Sequence, residues 1–342
     1  MWYDEDKKRV KDREEDMVTI NDIAKLAGVA KSTVSRYLNG GSVSRKTKET
    51  LDRIIKETEY VPNTFAQSLK VKQSNLIGII IPRLNSYATN EILQSVDRCL
   101  RERNYQLLIV NTDQDVDREV ENLYALSRQK VAGIILLATD VTRAHKEAME
   151  KIGIPVLLLG QRSDATYAIV HEEEEAGAAM GRHALRLGHK KILYLGVTEK
   201  DESVGILRKK GVMDVLKNEE GIDVQEEEVD FNFDITFQFL KEYLKGREET
   251  YILCATDNIA LAAYKASITL GRKVPEDVSI SGFGGYSITD LVTPSITTVR
   301  YAYKEMGRIA AENLLRLLQG EEIPKKIALS GEFLPKESTK AL

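Results

Sequence analysis

Two cysteines and one tryptophan are all that 342 residues contain of those types, and the four histidines show no metal-ligand spacing. Cys99 and Cys254 lie far apart inside apolar stretches, which reads as two buried thiols rather than a disulfide or a metal pair. No H-E-x-x-H, G-x-S-x-G or P-loop occurs, and the segment GFGG (282–285) alone is a poor nucleotide signature. A sugar-modifying enzyme therefore finds no support in the motifs, and neither a metal nor another cofactor is expected. No run approaches the roughly 20 apolar residues that span a bilayer. The start, MWYDEDKKRV, has no apolar signal-peptide core, so a cytoplasmic protein without membrane contact is expected.

What is present is charge, unevenly placed. The formal net charge is −4, yet residues 17–72 hold ten Lys/Arg against five Asp/Glu, a balance of +5 that leaves −9 for the rest. A small basic segment on an acidic body suggests that nucleic acid is met by that segment alone, because phosphate contacts need local positive charge.

Residues 1–16 are almost all charged without apolar periodicity and are expected to be disordered or weakly helical, and Met17 is an alternative start. Val18 to Tyr60 reads as three short helices. From Leu76 onward apolar runs alternate with amphipathic stretches: LIGIIIP (76–82), YQLLIV (105–110), GIILLA (133–138), PVLLLG (155–160), KILYLG (191–196), YILCAT (251–256) and VSISGFG (278–284). Continuously apolar runs suit strands buried on both faces. Helical segments between them include 90–103, 176–187, 204–217, 259–270 and 304–318. The alternation predicts parallel doubly wound sheets with right-handed crossovers, about eight units in two lobes. In such folds ligands bind at the carboxyl ends of strands, which places a sensing site in a cleft between the lobes.

The segment TINDIAKLAGV (19–29) opens on Thr19 as N-cap, puts an acid in the first turn and reaches Gly28, which permits a tight turn. A second helix, Lys31 to Leu38, turns Val34 and Leu38 inward and Lys31, Ser32, Ser35 and Arg36 outward. That geometry suits a recognition helix entering the major groove. A third, Arg45 to Glu59, turns Leu51, Ile54 and Ile55 inward.

The joint spacing of D-I-A-x-x-A-G-V, T-V-S-R, V-S-x-x-T, Y-x-P-N and A-x-S-L resembles the LacI family of repressors, and the likeness covers nearly the whole chain from Met17. It implies four segments: the charged extension 1–16, a helix-turn-helix DNA-binding domain 17–61, a hinge helix and linker 62–74, and an effector-binding and dimerisation domain 75–342. The implied fold is an all-α headpiece on a two-lobed α/β body like a periplasmic binding protein. Carried over by position, Lys31, Ser32 and Arg36 read base edges, Thr33 and Ser35 lie near phosphates, and Thr19, Asn39 and Asn63 belong to the same surface. Arg36 can donate two hydrogen bonds to guanine; the plainer alternative is a phosphate contact. In the hinge helix, Pro62 to Lys70, Leu69 is implied to wedge into the minor groove, with an interdomain core leucine as its alternative. So short a helix is marginal in water and should order only on operator DNA.

For the cleft, Arg83, Ser86 and Tyr87 follow the first strand. The R-L-N-S form there, with GVTEKDESVGILRKKG (196–211) and CATDNIAL (254–261), looks closest within the family to repressors of sucrose and trehalose operons, some of which sense a phosphorylated disaccharide. Arg83 fits phosphate, since a guanidinium donates charge-assisted paired hydrogen bonds, or it is simply a surface arginine. Arg208 matches the arginine that relatives set against sugar hydroxyls, and Gln161 stands where they often have aspartate. Thr256 and Asp257 open a helix at the cleft mouth, where Asp257 is a contact or a cap. Tyr301 and Tyr303 offer a stacking face or belong to the core. Gly284 takes the place of the family's usual sugar-binding aspartate, which leaves room there for a bulkier or phosphorylated ligand. The acidic run from His171 to Glu175 reads first as helix capping, with sugar contact from Glu173 second.

The implied protein is a homodimer that reads a pseudo-palindromic operator and is released by a sugar or sugar phosphate resembling sucrose 6-phosphate. A global catabolite regulator needing a protein corepressor is the alternative. The tail GEFLPKESTKAL lacks a leucine heptad, which weighs against a tetramerising coiled coil.

Overall fold

The computed structural model describes residues 18–38, 40–60 and 74–342. The chain divides into two compact units, one up to Ser74 and one from Asn75 to Leu342. Asn39, Asn63, Leu69 and nearly all of the expected hinge, along with the first 17 residues, lie outside the described residues.

In the first unit, α1 (Ile20–Ala27) begins where the Thr19 side chain accepts from the Asp22 amide and Asp22 answers the Thr19 amide. It ends at Gly28, whose φ of 63° is open to glycine at little cost. Helices α2 (Lys31–Leu38) and α3 (Arg45–Thr58) follow, the latter capped by Ser44. Eight residues make too short a helix to persist alone, so packing must hold α1 and α2. Ile23, Ala24, Val34, Leu51 and Ile54 form that core, with Leu38 and Ile55 packed on it.

The second unit has two six-stranded sheets. The first contains β1 (Leu76–Ile81), β2 (Gln106–Asn111), β3 (Gly133–Leu136), β4 (Val156–Leu159) and β5 (Tyr167–His171), and the second β6 (Lys191–Gly196), β7 (Asp223–Glu228), β8 (Tyr251–Cys254), β9 (Ser279–Gly284) and β10 (Thr297–Arg300). Late in the chain β11 (Lys326–Leu329) returns to the first sheet and β12 (Glu332–Leu334) to the second. The orders are β11-β5-β4-β3-β1-β2 and β12-β10-β9-β8-β6-β7, parallel except for β12 against β10. Each apolar run named above overlaps a strand, β2 extending one residue past its run to Asn111, and central β3, β4 and β8 are buried at every residue. The edge strand β7, DVQEEE, is largely exposed and carries no apolar run, so composition does not announce it.

Helices cover both sheets: α4 (Tyr87–Arg101), α5 (Val116–Arg128), α6 (Arg143–Ile152), α7 (Glu173–Arg186), α8 (Lys209–Leu216), α9 (Phe233–Tyr243), α10 (Asp257–Thr269) and α11 (Tyr303–Leu318). Two of them exchange lobes. Helix α7 leaves β5 and packs on α8 beside the second sheet, while α11 leaves β10 and packs on α4, β3 and β4. The helix expected over 204–217 is two pieces, a π-helical turn, Glu202–Arg208, and then α8. Asp201 caps the turn by accepting from the Val204 amide. Such wide turns are rare and concentrate at functional sites.

Bringing α7 onto this turn requires glycine. A Cβ on Gly177 would lie 2.2 Å from the Arg208 carbonyl oxygen, and one on Gly211 2.0 Å from that of Glu174. Both obstacles are backbone, so the helices must separate to admit a methyl group. Gly177→Ala is expected to destabilise the protein by about 1–3 kcal/mol through overpacking. A urea midpoint equal to that of the wild type contradicts this.

Candidate effector cleft and DNA-reading surface

On the headpiece, Lys31, Ser32 and Arg36 are exposed, Thr33 and Ser35 half-buried, and Val34 buried, so α2 presents its polar face outward as expected. The Tyr37 hydroxyl donates to Asp52 on α3, and the Gly41 amide donates to the Arg36 carbonyl. Both bonds hold α2 in place. Thr19 is exposed, but its hydroxyl is engaged with Asp22 at 2.6 Å as part of the α1 cap.

Between the lobes of the second unit lies a cavity of about 160 Å³ that opens to solvent. The carboxyl ends of the strands build it: Arg83 and Ser86 after β1, Gln161 after β4, His171 and Glu173 at the end of β5, Asp201, Ser203 and Arg208 after β6, Thr256 and Asn258 after β8, and Phe283 and Tyr286 at and after β9. Phe231 and Tyr303 complete the wall. Of the residues singled out above, Arg83, Ser86, Gln161, Arg208, Thr256 and Tyr303 meet here.

Four do not. Tyr301 is buried, and its hydroxyl donates to Glu173 Oε2 at 2.5 Å, so its ring offers no face to a ligand. Asp257 is fully buried, accepts from the Tyr286 amide at 2.8 Å and from the Thr298 hydroxyl at 2.7 Å, and leaves helix capping to Thr256. Burial pushes the pKa of Asp257 up to about 6 despite those bonds. Gly284, at φ 140°, leaves no room for a larger ligand, because the Tyr286 ring folds back over it to 2.3 Å from where its Cβ would be. Tyr87 lies outside the wall, its ring stacked on Tyr286 with centroids 4.5 Å apart.

Arg208 is the centre of the cleft floor. Its Nε and Nη2 each donate to Glu173 Oε2 at 2.8 Å, and Nη1 donates to the Ala255 carbonyl. Its guanidinium lies 5.0 Å from the centroid of Phe283 and 5.1 Å from that of Tyr301. Burial opposes its charge, but Glu173 more than offsets that and holds its pKa above the usual arginine value. Glu173 is thus a buried counter-ion, and α7 has no side-chain cap hydrogen bond, although Glu173, Glu174 and Glu175 occupy its first turn. Local sequence cannot disclose this pair, since its partners are 35 residues apart.

Arg83 has no ion-pair partner among the described residues. Its guanidinium lies 4.3 Å from the Phe231 centroid, with Asp201 and Asp230 nearby, and burial lowers its pKa. Gln161 Nε2 donates to the Thr139 carbonyl and to Asp201 Oδ1, both at 3.3 Å, and the Ser203 hydroxyl donates to the Gly160 carbonyl. Both link the lobes. Asp201, His171, Phe231, Asn258 and Tyr286 are cleft residues that sequence reasoning did not select. Position after a strand was a usable signal for Asp201, Asn258 and Tyr286.

Removing one partner of the Glu173–Arg208 pair strands a buried charge. Glu173→Leu is expected to cost about 3–5 kcal/mol, and adding Arg208→Met should recover most of it. Chemical unfolding of the single and double variants measures both; equal midpoints for wild type and Glu173→Leu contradict the pairing.

Comparison with known proteins completes the picture. Residues 19–63 match the bacterial regulatory proteins of the lacI family, and residues 182–339 a periplasmic binding protein-like domain. The sucrose operon repressor of Staphylococcus xylosus is 40% identical over 92% of this chain and 98% of its own. Catabolite control protein A of Priestia megaterium is 27% identical over 91% and 95%. The lac repressor dimer bound to operator and the anti-inducer ONPF superposes with a TM-score of 0.83 at 27% identity, covering 95% of this chain and 100% of that one. With its helix-turn-helix unit, its two lobes of parallel sheet and these relatives, the chain belongs to the lacI family of bacterial transcription regulators.

Proposed function

We propose that the chain is a homodimeric, sequence-specific repressor of a sugar-utilisation operon, released from its operator when a sugar or sugar phosphate enters the cleft. The observation that carries this is the make-up of the cavity. Aromatic rings of Phe231, Phe283, Tyr286 and Tyr303 stand beside Arg208, Asp201, Gln161 and Asn258, the combination of apolar faces and hydrogen-bonding groups that a pyranose or furanose requires. The 40% identity to a sucrose operon repressor supports a sucrose-like effector. Arg83, without an ion-pair partner among the described residues, favours a phosphorylated one such as sucrose 6-phosphate. The likeness to the lac repressor dimer supports a homodimer.

The effector can act only by binding the two lobe arrangements unequally, and its coupling to DNA must be reciprocal. A thermal-shift screen of sucrose, trehalose, fructose and their 6-phosphates tests the effector, since a ligand at 100 times its Kd stabilises by about 2.7 kcal/mol. A positive ligand must also weaken operator binding. If that weakening needs a phosphoprotein instead, the chain is a global regulator of the kind its 27% identical relative is named for. Arg83→Ala should lower affinity for the phosphorylated sugar by roughly tenfold or more, the scale of a charge-assisted bond, while sparing the neutral one. Equal losses for both sugars speak against a phosphate contact.

At the headpiece, Lys31, Ser32 and Arg36 are proposed to read base edges, with Thr33, Ser35, Thr19, Asn39 and Asn63 supporting at the backbone and Leu69 in the minor groove. Arg36→Ala is expected to relax preference at one operator position by about 1–3 kcal/mol. Binding-site selection with wild type and variant measures it, and a uniform loss on every sequence means Arg36 touches phosphate alone.

A further inference from the structure

His171 ends β5, is 6% exposed and lines the cavity, yet no hydrogen bond among the described residues reaches its ring. Nε2 is buried without a partner. The contacts of the ring are aromatic, with Tyr301 tilted at 4.6 Å and Tyr303 edge-on at 5.5 Å. Burial and, behind it, the Arg208 charge depress its pKa to about 3, so the ring is neutral at physiological pH. Leaving a buried polar group unanswered is costly, and among such groups here His171 is the one that lines the cavity.

A neutral imidazole has one N–H and one lone pair. A hydroxyl, which donates and accepts, complements it in either tautomer, whereas a phosphate finds at most one donor. The neighbouring Glu173–Arg208 pair adds no net positive charge. Arg83 differs: it lines both this cavity and a polar pocket beside it, where Asp113, Asp230, Asp234 and Asn232 also stand, while His171 lines the first cavity alone. The two ends of the cleft therefore suit different chemistry.

We propose that His171 is a specificity-determining residue whose ring hydrogen-bonds a hydroxyl of an uncharged sugar ring, so that any phosphate on the effector points away from His171 and towards Arg83. The proposal rests on the effector class given above and adds the orientation of the effector.

Calorimetric titration of the full chain with sucrose, trehalose and their 6-phosphates tests it. His171→Phe keeps a ring against Tyr301 and Tyr303 but has no nitrogen, and His171→Gln returns a polar end. For each probe the wild type binds, His171→Phe is expected to raise Kd tenfold or more, by the same factor for a sugar and its phosphate. His171→Gln should recover part of the loss. Binding by His171→Phe within twofold of wild type overturns the proposal, as does a loss confined to the phosphorylated probes. A wild type that binds no saccharide at all removes the effector class itself, a failure distinct from these two.

Discussion

A guanidinium and a carboxylate, both nearly out of reach of water, sit where the chain first crosses from one lobe to the other. Glu173 opens α7 directly after β5, and Arg208 closes the π-helical turn that follows β6. Arg208 also holds the Ala255 carbonyl beyond β8, and Glu173 holds the Tyr301 hydroxyl beyond β10. The ends of four strands thus converge on one ion pair. Each charge is costly to desolvate, and their mutual attraction offsets that only while both remain and their other hydrogen bonds are made. The close approach at Gly177 and Gly211 serves the same end, because a methyl group at either position would push the turn away from α7 and Arg208 with it. Electrostatics and packing here are one constraint.

Across the cleft the lobes meet through much weaker contacts. Gln161 reaches Asp201 at 3.3 Å, at the long end of hydrogen bonding, and Arg83 and Tyr87 meet Phe231 and Tyr286 through ring faces. Each is worth about 1 kcal/mol or less by type, against cores that bury whole strands. Lobes joined by replaceable contacts suit a fold that moves between two arrangements. A ligand that substitutes its own hydroxyls for the Gln161–Asp201 bond can then favour one of them.

How far the sequence discloses this depends on the range over which each feature is decided. Strands such as β1 and β3 are legible because burial on both faces demands a continuous apolar run. The headpiece is legible because Thr19, Gly28 and the spacing of Val34, Leu51 and Ile54 act within one or two turns. Tyr301 and Tyr303 mark the limit. They are two residues apart at the end of a strand, one enters the ion pair and the other the cavity, and which does which depends on where β10 gives way to α11. Glu173 reads as one acid among four in a row, each equally able to complement a helix dipole, until the fold brings Arg208 to it. Gly284 is legible as a missing aspartate but not as the seat of the Tyr286 ring, because the space it frees is claimed by a side chain two residues on. The π-helical turn leaves no periodic signal, since seven residues are too few to show one.

The headpiece sets the scale of control that the cleft must exert. Its core is five buried side chains, two of its helices are eight residues long, and the polar face of α2 is held by Val34, the Tyr37–Asp52 bond and the Gly41–Arg36 bond. With a balance of +5 over residues 17–72 and an acidic remainder, sequence-independent attraction to phosphate is modest and falls further with salt. A regulator with so small a non-specific reserve does not need a large conformational energy to leave its site. Coupling of about 1–3 kcal/mol between ligand and DNA changes affinity by roughly 5- to 150-fold. That is the scale of breaking one or two cleft contacts like those of Gln161, Ser203 and Arg83, so contacts of this size are of the order that such coupling requires.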